Sequence, residues 1–270
     1  MKVLGVVMSV LSLGACGSTP PQTGVLVNHI GAVKTRLGPS PVDLPGRTYT
    51  SAPLFLRSRR GDVQGDEAVE VLVELAGGRG IEIRDQGGSR LAHIITPYYV
   101  TDFGAVRGSK SEKEHIVLYM YPNETDTGTF KVITADQREV ASWDEDPPPA
   151  GFSVGTWNGG AALFYLQRDA LVVRSPDGQP LSRLAAPEGG HFRSVFVAPI
   201  GDGRTVALAS GDGYTPYHAV YVYEADGGLG FQEIDDEHAF DLEAGPDEGT
   251  FLVMTRSTQW RYAIGTGTAR

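Results

Sequence analysis

The stretch SPDGQPLSRL, residues 175–184, places a Pro-Asp-Gly turn between the apolar run ALVV and a second short strand-like run. Aspartate and glycine tolerate the backbone angles of a tight turn, so the stretch predicts a hairpin of two antiparallel strands. Three other stretches have the same form: RDQGGSRLAHI from Arg84, TADQREVASW from Thr134 and EADGGLGFQEI from Glu224. The hairpin is therefore a repeated unit of this chain.

The repeat has the period of a propeller blade. Its turn aspartates, Asp85, Asp136, Asp177 and Asp226, follow one another after 51, 41 and 49 residues. A period in the forties with several strands per unit is typical of β-propellers. Four strand-like runs per unit are visible twice in succession, beginning with FSVGTW at Phe152 and with FRSVFVAPI at Phe192. An irregular β-sandwich with fortuitous turn spacing is the alternative.

Two earlier units have the same four runs, and the first of them begins with PLFLRS, residues 53–58. The last unit, which opens with HAFDLEA at His238, lacks an outer strand and leaves an unpaired edge. We expect GVLVNHI, residues 24–30, to supply this strand, and RLGPSPVDLPG to lead the chain inward. The predicted fold class is all-β, a β-propeller of five four-stranded blades closed by an N-terminal strand, over residues 24–270.

Residues 24–270 show a generic resemblance to WD40-like and quinoprotein-like bacterial propellers. The Gly-His and Trp-Asp dipeptides of the first group and the signatures of the second are missing from the sequence. The resemblance therefore implies a fold and no particular activity, because propellers carry many unrelated functions.

The N-terminus predicts a lipid anchor. Met1 and Lys2 precede an apolar run, residues 3–13, which is too short to span a bilayer and has the length of a secretory signal. Leu13, Gly14, Ala15 and Cys16 then resemble the lipobox of bacterial prolipoproteins. The resemblance implies a signal peptide over residues 1–15, cleavage between Ala15 and Cys16, acylation of Cys16 (palmitate is typical), and a flexible linker over residues 16–23.

Cys16 is the single cysteine of the chain, whereas cysteines of secreted proteins normally pair. Lipidation accounts for the odd number, and two or three acyl chains hold a protein in a membrane stably. An ordinary secretory signal with an isolated cysteine is the alternative. Gly17 stands where retention in the inner membrane typically uses aspartate, which favours the outer membrane.

The formal net charge of −10 argues against nucleic acid as a partner, because an acidic surface repels phosphate backbones. We expect contact with the membrane through the acyl chains on Cys16 alone. Nucleotide-binding loops, nucleophile elbows and paired-cysteine metal motifs do not occur in the sequence, so we expect no cofactor, no metal and no defined catalytic residue.

Four residues are candidates for a ligand site in the central channel. His191 and His238 are 47 residues apart, about one blade period, and each precedes a predicted inner strand. Asp235 and Asp236 lie beside His238 and could help it to hold a cation or a sugar hydroxyl. The alternative is that these are ordinary solvated loop residues.

The sequence therefore favours a lipid-anchored propeller of the cell envelope that acts as a non-enzymatic scaffold or protein-interaction module. Its expected partner is another envelope protein. The alternative is a carbohydrate-binding or glycan-cleaving propeller that works in the channel near His191 and His238.

Overall fold

The computed structural model describes residues 30–39, 58–107, 113–121, 127–149, 151–167, 169–186, 190–211 and 217–265, and all regular elements among them are β-strands. The predicted signal peptide, residues 1–15, and the predicted linker with Cys16, residues 16–23, lie outside the described residues. In the described part of the chain there is no helix that is long and apolar enough to cross a membrane.

The strands form five antiparallel sheets of four strands, which we number as blades 1 to 5. Blade 1 consists of β2 (Ser58–Gly61), β3 (Glu70–Glu74), β4 (Gly80–Arg84) and β5 (Arg90–Ile95). Blade 2 consists of β6 (Tyr99–Arg107), β7 (Glu114–Tyr121), β8 (Gly128–Ile133) and β9 (Glu139–Glu145). Blade 3 consists of β10 (Phe152–Trp157), β11 (Gly160–Gln167), β12 (Ala170–Arg174) and β13 (Pro180–Ala185).

Blade 4 consists of β14 (Phe192–Pro199), β15 (Thr205–Gly211), β16 (His218–Tyr223) and β17 (Leu229–Asp235). Blade 5 consists of β18 (Ala239–Ala244), β19 (Thr250–Thr255), β20 (Thr258–Ile264) and, from the start of the chain, β1 (Ala32–Pro39). The first strands of blades 1 to 5 contact one another in sequence and form the inner layer. The predicted five-bladed propeller is confirmed.

An N-terminal strand closes blade 5, as predicted, but it is not the predicted run. β1 pairs antiparallel with β20, and Ala32 lies opposite Ile264. GVLVNHI ends at Ile30, before β1 begins, and its residues 24–29 lie outside the described chain. β1 instead includes residues 36–39, which we expected in the connection to blade 1. An outermost strand is held by backbone hydrogen bonds, and one of its faces is exposed to solvent. Its sequence therefore need not be apolar.

The first strand of blade 1 extends beyond the end of the predicted run. The predicted run PLFLRS covers residues 53–58, whereas the described strand β2 begins at Ser58 and ends at Gly61. Residues 53–57 lie outside the described chain. Only the last residue of the predicted run therefore belongs to the described strand.

The turn between the third and fourth strands repeats in blades 1 to 4 with the same backbone hydrogen bonds. The first residue's N–H donates to the carbonyl four positions later, and its own carbonyl accepts the N–H three positions later. The first residues of these turns are Asp85, Thr134, Ser175 and Glu224. The fourth residues have positive φ angles: Gly88 86°, Gln137 65°, Gly178 83° and Gly227 83°. These are hairpin turns that end in a bulge.

The prediction that the four turn aspartates occupy the same position of the repeat is wrong for Asp85. Asp136, Asp177 and Asp226 occupy the third position of their turns, which in blade 1 belongs to Gly87. Asp85 occupies the first position, where its Oδ1 accepts the Ser89 N–H at 2.8 Å. Asp side chains can brace a tight turn from more than one position, so sequence similarity alone did not fix the alignment.

Four clusters of buried apolar side chains lie between successive blades, from blades 1 and 2 to blades 4 and 5. Between blades 2 and 3, the Phe130 ring centroid lies 5.1 Å from that of Trp143 and 5.0 Å from that of Tyr165. Between blades 4 and 5, Ile30 is buried in the cluster and its N–H donates to Gly230 O at 3.1 Å. None of the four clusters joins blade 5 to blade 1 within the described residues.

A buried carboxylate also connects blades 2 and 3. Glu145, at the end of β9, is 5% exposed. Its Oε1 accepts the Tyr165 hydroxyl at 2.5 Å and lies 2.9 Å from Arg174 Nη2. Its Oε2 accepts Gln167 Nε2–H at 2.6 Å. The charge of Glu145 is therefore compensated by an arginine and by neutral donors, all supplied by blade 3.

Candidate functional site

His191 and His238 lie on the same face of the propeller, because each directly precedes an inner strand, β14 or β18. His191 is exposed and His238 is half-buried. Among the described residues no hydrogen bond joins the two histidines, and His238 Nδ1 lies instead 3.0 Å from Ser210 Oγ. The proposed channel site therefore stays a prediction, with its two histidines in separate environments.

The Ser210 and His238 side chains are not arranged as a nucleophile and its base. Ser210 is fully buried, and its hydroxyl donates to Ala239 O at 2.6 Å. Because that proton is already engaged, His238 Nδ1–H must be the donor to Ser210 Oγ. The contact therefore positions the His238 ring at the start of β18.

Asp235 and Asp236 also have different surroundings. Asp235 Oδ2 lies 2.5 Å from Lys34 Nζ, and its Oδ1 accepts the Glu237 N–H at 3.2 Å. Partial burial opposes ionisation, but the hydrogen bond and charge of Lys34 hold the pKa of Asp235 below its ordinary value. Asp236 is exposed. Asp235 thus forms an ion pair with Lys34 of the closing strand β1, whereas the Asp236 side chain is exposed to solvent.

Lys34 is the centre of a polar cluster that fastens β1 to blade 4. Its Nζ lies 2.7 Å from Glu233 Oε1, in addition to Asp235, and above the rings of Trp260 and Tyr262, at 4.6 and 5.4 Å from their centroids. Burial opposes the charge, but the two carboxylates raise the pKa of Lys34 above its ordinary value. We call Lys34, Glu233, Asp235, Trp260 and Tyr262 the latch.

We expect Lys34→Met to lower the free energy of unfolding by about 1–2 kcal/mol. The substitution leaves two adjacent carboxylates without their cation, but solvent still reaches them, so the loss is smaller than for a fully buried pair. Urea denaturation measures it, and hydrogen exchange should show faster exchange of the amides of β1.

The matched control for the latch is Lys131→Met, because the side chains of its ion pair with Glu139, 37% and 52% exposed, are more exposed than those of the latch ion pairs. This variant should stay within about 0.5 kcal/mol of the wild type. Equal losses in the Lys34 and Lys131 variants, or unchanged exchange in β1, would contradict the role of the latch.

His218 is a buried histidine that the sequence did not single out, because it begins the apolar strand β16. It is fully buried, and its Nδ1–H donates to Glu237 O at 2.6 Å. In the neutral ring Nε2 is therefore the unprotonated nitrogen, and it is buried without a hydrogen-bond partner. Burial lowers the pKa of His218 below its ordinary value, in a setting that also includes the charges of Asp235, Lys34 and Glu233.

Stability should consequently fall as the pH decreases from 7 to 5, in part because of His218. The unfolded chain binds a proton on this residue near pH 6.5, whereas the folded chain resists it, so acidification favours unfolding. One such proton contributes a slope of at most about 1.4 kcal/mol per pH unit. In His218→Asn, whose amide can still donate to Glu237 O, this contribution should disappear.

The pH series is measured by urea denaturation at pH 5, 6 and 7, with His191→Asn as the control at an exposed position. The difference in pH slope between the wild type and His218→Asn isolates the contribution of His218 from those of other groups. One such group is His115, because burial lowers its pKa as well. An unchanged slope in His218→Asn would refute the assignment.

Blade 1 carries a group of three carboxylates that the sequence analysis missed. Asp62 and Asp66 lie on the loop from β2 to β3 and Glu70 begins β3, on the face opposite His191, with one oxygen of each within 4.8 Å of the others. Oxygen atoms in this number suit a hard cation such as Ca²⁺. The sequence signal for this group is the spacing Asp-x3-Asp-x3-Glu.

Backbone amides already compensate much of this negative charge. Asp62 Oδ1 accepts the Gly65 N–H at 2.6 Å, and Glu70 Oε2 accepts the Val63 N–H at 2.9 Å. The Asp62 N–H in turn donates to Glu114 Oε2 at 2.8 Å. The loop is thus ordered by its own hydrogen bonds, and these carboxylates are the described residues whose geometry could hold a metal.

No protein-family model matches the sequence, and no match was found among curated proteins. Solved structures do match. The structure of Chaetomium thermophilum Raptor matches with a TM-score of 0.53 and 14% identity, over 80% of this chain and 19% of Raptor. This similarity agrees with the propeller fold and shows the fold alone.

Two further similarities are weaker. A protein of unknown function from Bacteroides caccae matches with a TM-score of 0.44 and 9% identity, over 73% of this chain and 68% of that one. BBS1N, in its complex with ARL6DN, matches with a TM-score of 0.42 and 12% identity, over 80% of both chains.

Proposed function

We propose that this chain is a lipid-anchored, non-enzymatic propeller that holds another protein at the bacterial cell envelope, at the outer membrane. The observation that carries the proposal is the latch. Among the described strands, β1 is the nearest in sequence to the predicted anchor at Cys16, and it is fixed in blade 5 by pairing with β20 and to blade 4 by Lys34. An anchor attached to such a strand holds the whole propeller.

The distance between the propeller and the membrane is limited by the length of chain that joins the predicted anchor to the propeller. Residues 17–29 separate Cys16 from Ile30, which is already buried between blades 4 and 5. At about 3.3–3.6 Å per residue, a fully extended segment of this length spans about 45 Å. The edge of the propeller at Ile30 can therefore lie no farther than about this distance from the membrane.

The hydrogen bonds and ion pair of the groups that could act in catalysis support a binding role instead. The Asp235 carboxylate is paired with Lys34, and the Ser210 hydroxyl donates to a backbone carbonyl. A glycoside hydrolase requires two carboxylates on either side of one bond, one of them able to supply a proton. Asp235, with its pKa held low by Lys34, is a poor proton donor.

The test is crosslinking and affinity capture of the intact protein from membranes, with mass spectrometric identification, beside a Cys16→Ala variant. We expect a stoichiometric envelope protein that is lost in the variant. Capture of glycan without protein would favour the channel alternative at His191 and His238. Turnover of an envelope polysaccharide by the purified protein would refute the scaffold.

A further inference from the structure

Three large apolar side chains are exposed at one junction between blades, where β5 ends and β6 begins. Ile95, Tyr98 and Tyr99 are 63%, 46% and 42% exposed, and they surround the connection from β5 of blade 1 to β6 of blade 2. This connection lies on the same face as His191 and His238. The equivalent connection from blade 4 to blade 5 is Asp-Glu-His, which is polar. The apolar exposure is therefore not a general property of these loops.

The loop is held rigidly against the neighbouring hairpin of blade 1. The Thr96 N–H donates to Arg79 O at 3.1 Å, and the Val100 N–H donates to Gly78 O at 2.7 Å. The Thr96 hydroxyl donates to Tyr98 O at 2.7 Å. A surface that is already ordered loses little conformational entropy when a ligand binds.

Arg79 adds a positive charge to this surface. Its guanidinium lies 5.0 Å from the centroid of the Tyr99 ring, and no carboxylate pairs with it among the described residues. The chain as a whole has a net charge of −10. A described carboxylate on the same hairpin is that of Glu74, whose Oε1 lies beside Gly78 and forms no ion pair with Arg79. We call Arg79, Ile95, Tyr98 and Tyr99 the tyrosine patch.

We propose that the tyrosine patch binds a segment of the partner protein in which a carboxylate lies beside an apolar side chain. The inference rests on the proposed scaffold function and names the surface that performs it. A guanidinium presents paired donors that match the two oxygens of a carboxylate. Tyrosine and arginine are also, with tryptophan, enriched among the residues that dominate the binding energy of protein interfaces.

The test uses the full-length protein and a displayed library of random octapeptides. The recovered peptides should share an aspartate or glutamate beside an aromatic or branched apolar residue. In fluorescence anisotropy, Arg79→Gln should weaken the binding of these peptides at least tenfold, and so should replacing the peptide carboxylate by an amide. Combining both changes should cost little more than either alone, because both remove the same contact.

Arg90→Gln is the matched control, since Arg90 is an exposed arginine of the same blade, and it should leave the affinity unchanged. Both arginines are exposed, so the unfolding midpoints of the variants should equal that of the wild type. Recovery of no peptide, recovery of peptides without a carboxylate, or equal binding to Arg79→Gln would overturn the proposal.

The membrane capture described above separates failure of the patch from failure of the scaffold. A Cys16-dependent partner that Arg79→Gln captures less well supports the patch. Capture of that partner equally by Arg79→Gln overturns the patch and leaves the scaffold standing. Capture of no partner by the wild type overturns both.

Discussion

Glu145→Ala is expected to lower the free energy of unfolding by about 3–5 kcal/mol. The substitution removes the acceptor of three donors from blade 3 and leaves the Arg174 guanidinium, which is largely buried, without its counter-ion. Breaking a buried pair by removing one partner is costly, because the remaining charge has lost its solvation. Urea denaturation with tryptophan fluorescence measures the loss.

Two variants define what the Glu145 result means. Glu145→Gln keeps an acceptor oxygen and removes the charge, so it should lose less stability than the alanine variant. Glu139→Ala removes an exposed carboxylate of the same strand and should stay within about 0.5 kcal/mol of the wild type. A loss below about 1 kcal/mol in Glu145→Ala would show that the network contributes little.

Phe130→Ala should also cost about 3–5 kcal/mol, through packing rather than charge. Phe130 is fully buried, and its ring lies between blades 2 and 3 among four aromatic rings. The centroid distances are 4.6 Å to Tyr119, 5.0 Å to Tyr165, 5.1 Å to Trp143 and 5.7 Å to Phe152. Alanine leaves a cavity that these rigid rings fill only in part, because a packed core relaxes incompletely.

The control for Phe130 is leucine, which retains most of the apolar volume and should lose about half as much stability as alanine. Equilibrium unfolding gives both values, and near-ultraviolet circular dichroism reports the packing of the surrounding rings. Equal losses for alanine and leucine would mean that ring contacts, rather than cavity volume, determine the effect.

Much of the fold could be predicted because its signals are local. The hairpin turns contain Asp and Gly, and the strands between them alternate or are continuously apolar, so the predicted run FSVGTW coincides with β10, Phe152–Trp157. The need to close an unpaired edge correctly indicated an N-terminal strand. It did not identify β1, since pairing with β20 depends on backbone groups that all residues except proline share.

The polar clusters could not be predicted in the same way. Lys34 and Asp235 are separated by 201 residues, and they meet because the ring places β1 beside the outer strand of blade 4. No local pattern encodes such a contact. The carboxylates of Asp62, Asp66 and Glu70, by contrast, have a regular spacing within nine residues that a search for oxygen ligands would have found.

Closure by β1 also constrains the order in which the protein can fold. The chain is synthesised from its N-terminus at about 5–20 residues per second, so of the described strands β1 is made first and its pairing partner β20 last. Until β20 has been made, β1 has no neighbouring strand, although blades 1 to 4 already contain all their strands. The β1–β20 pairing can therefore form only after synthesis of the rest of the propeller, as the final step of ring assembly.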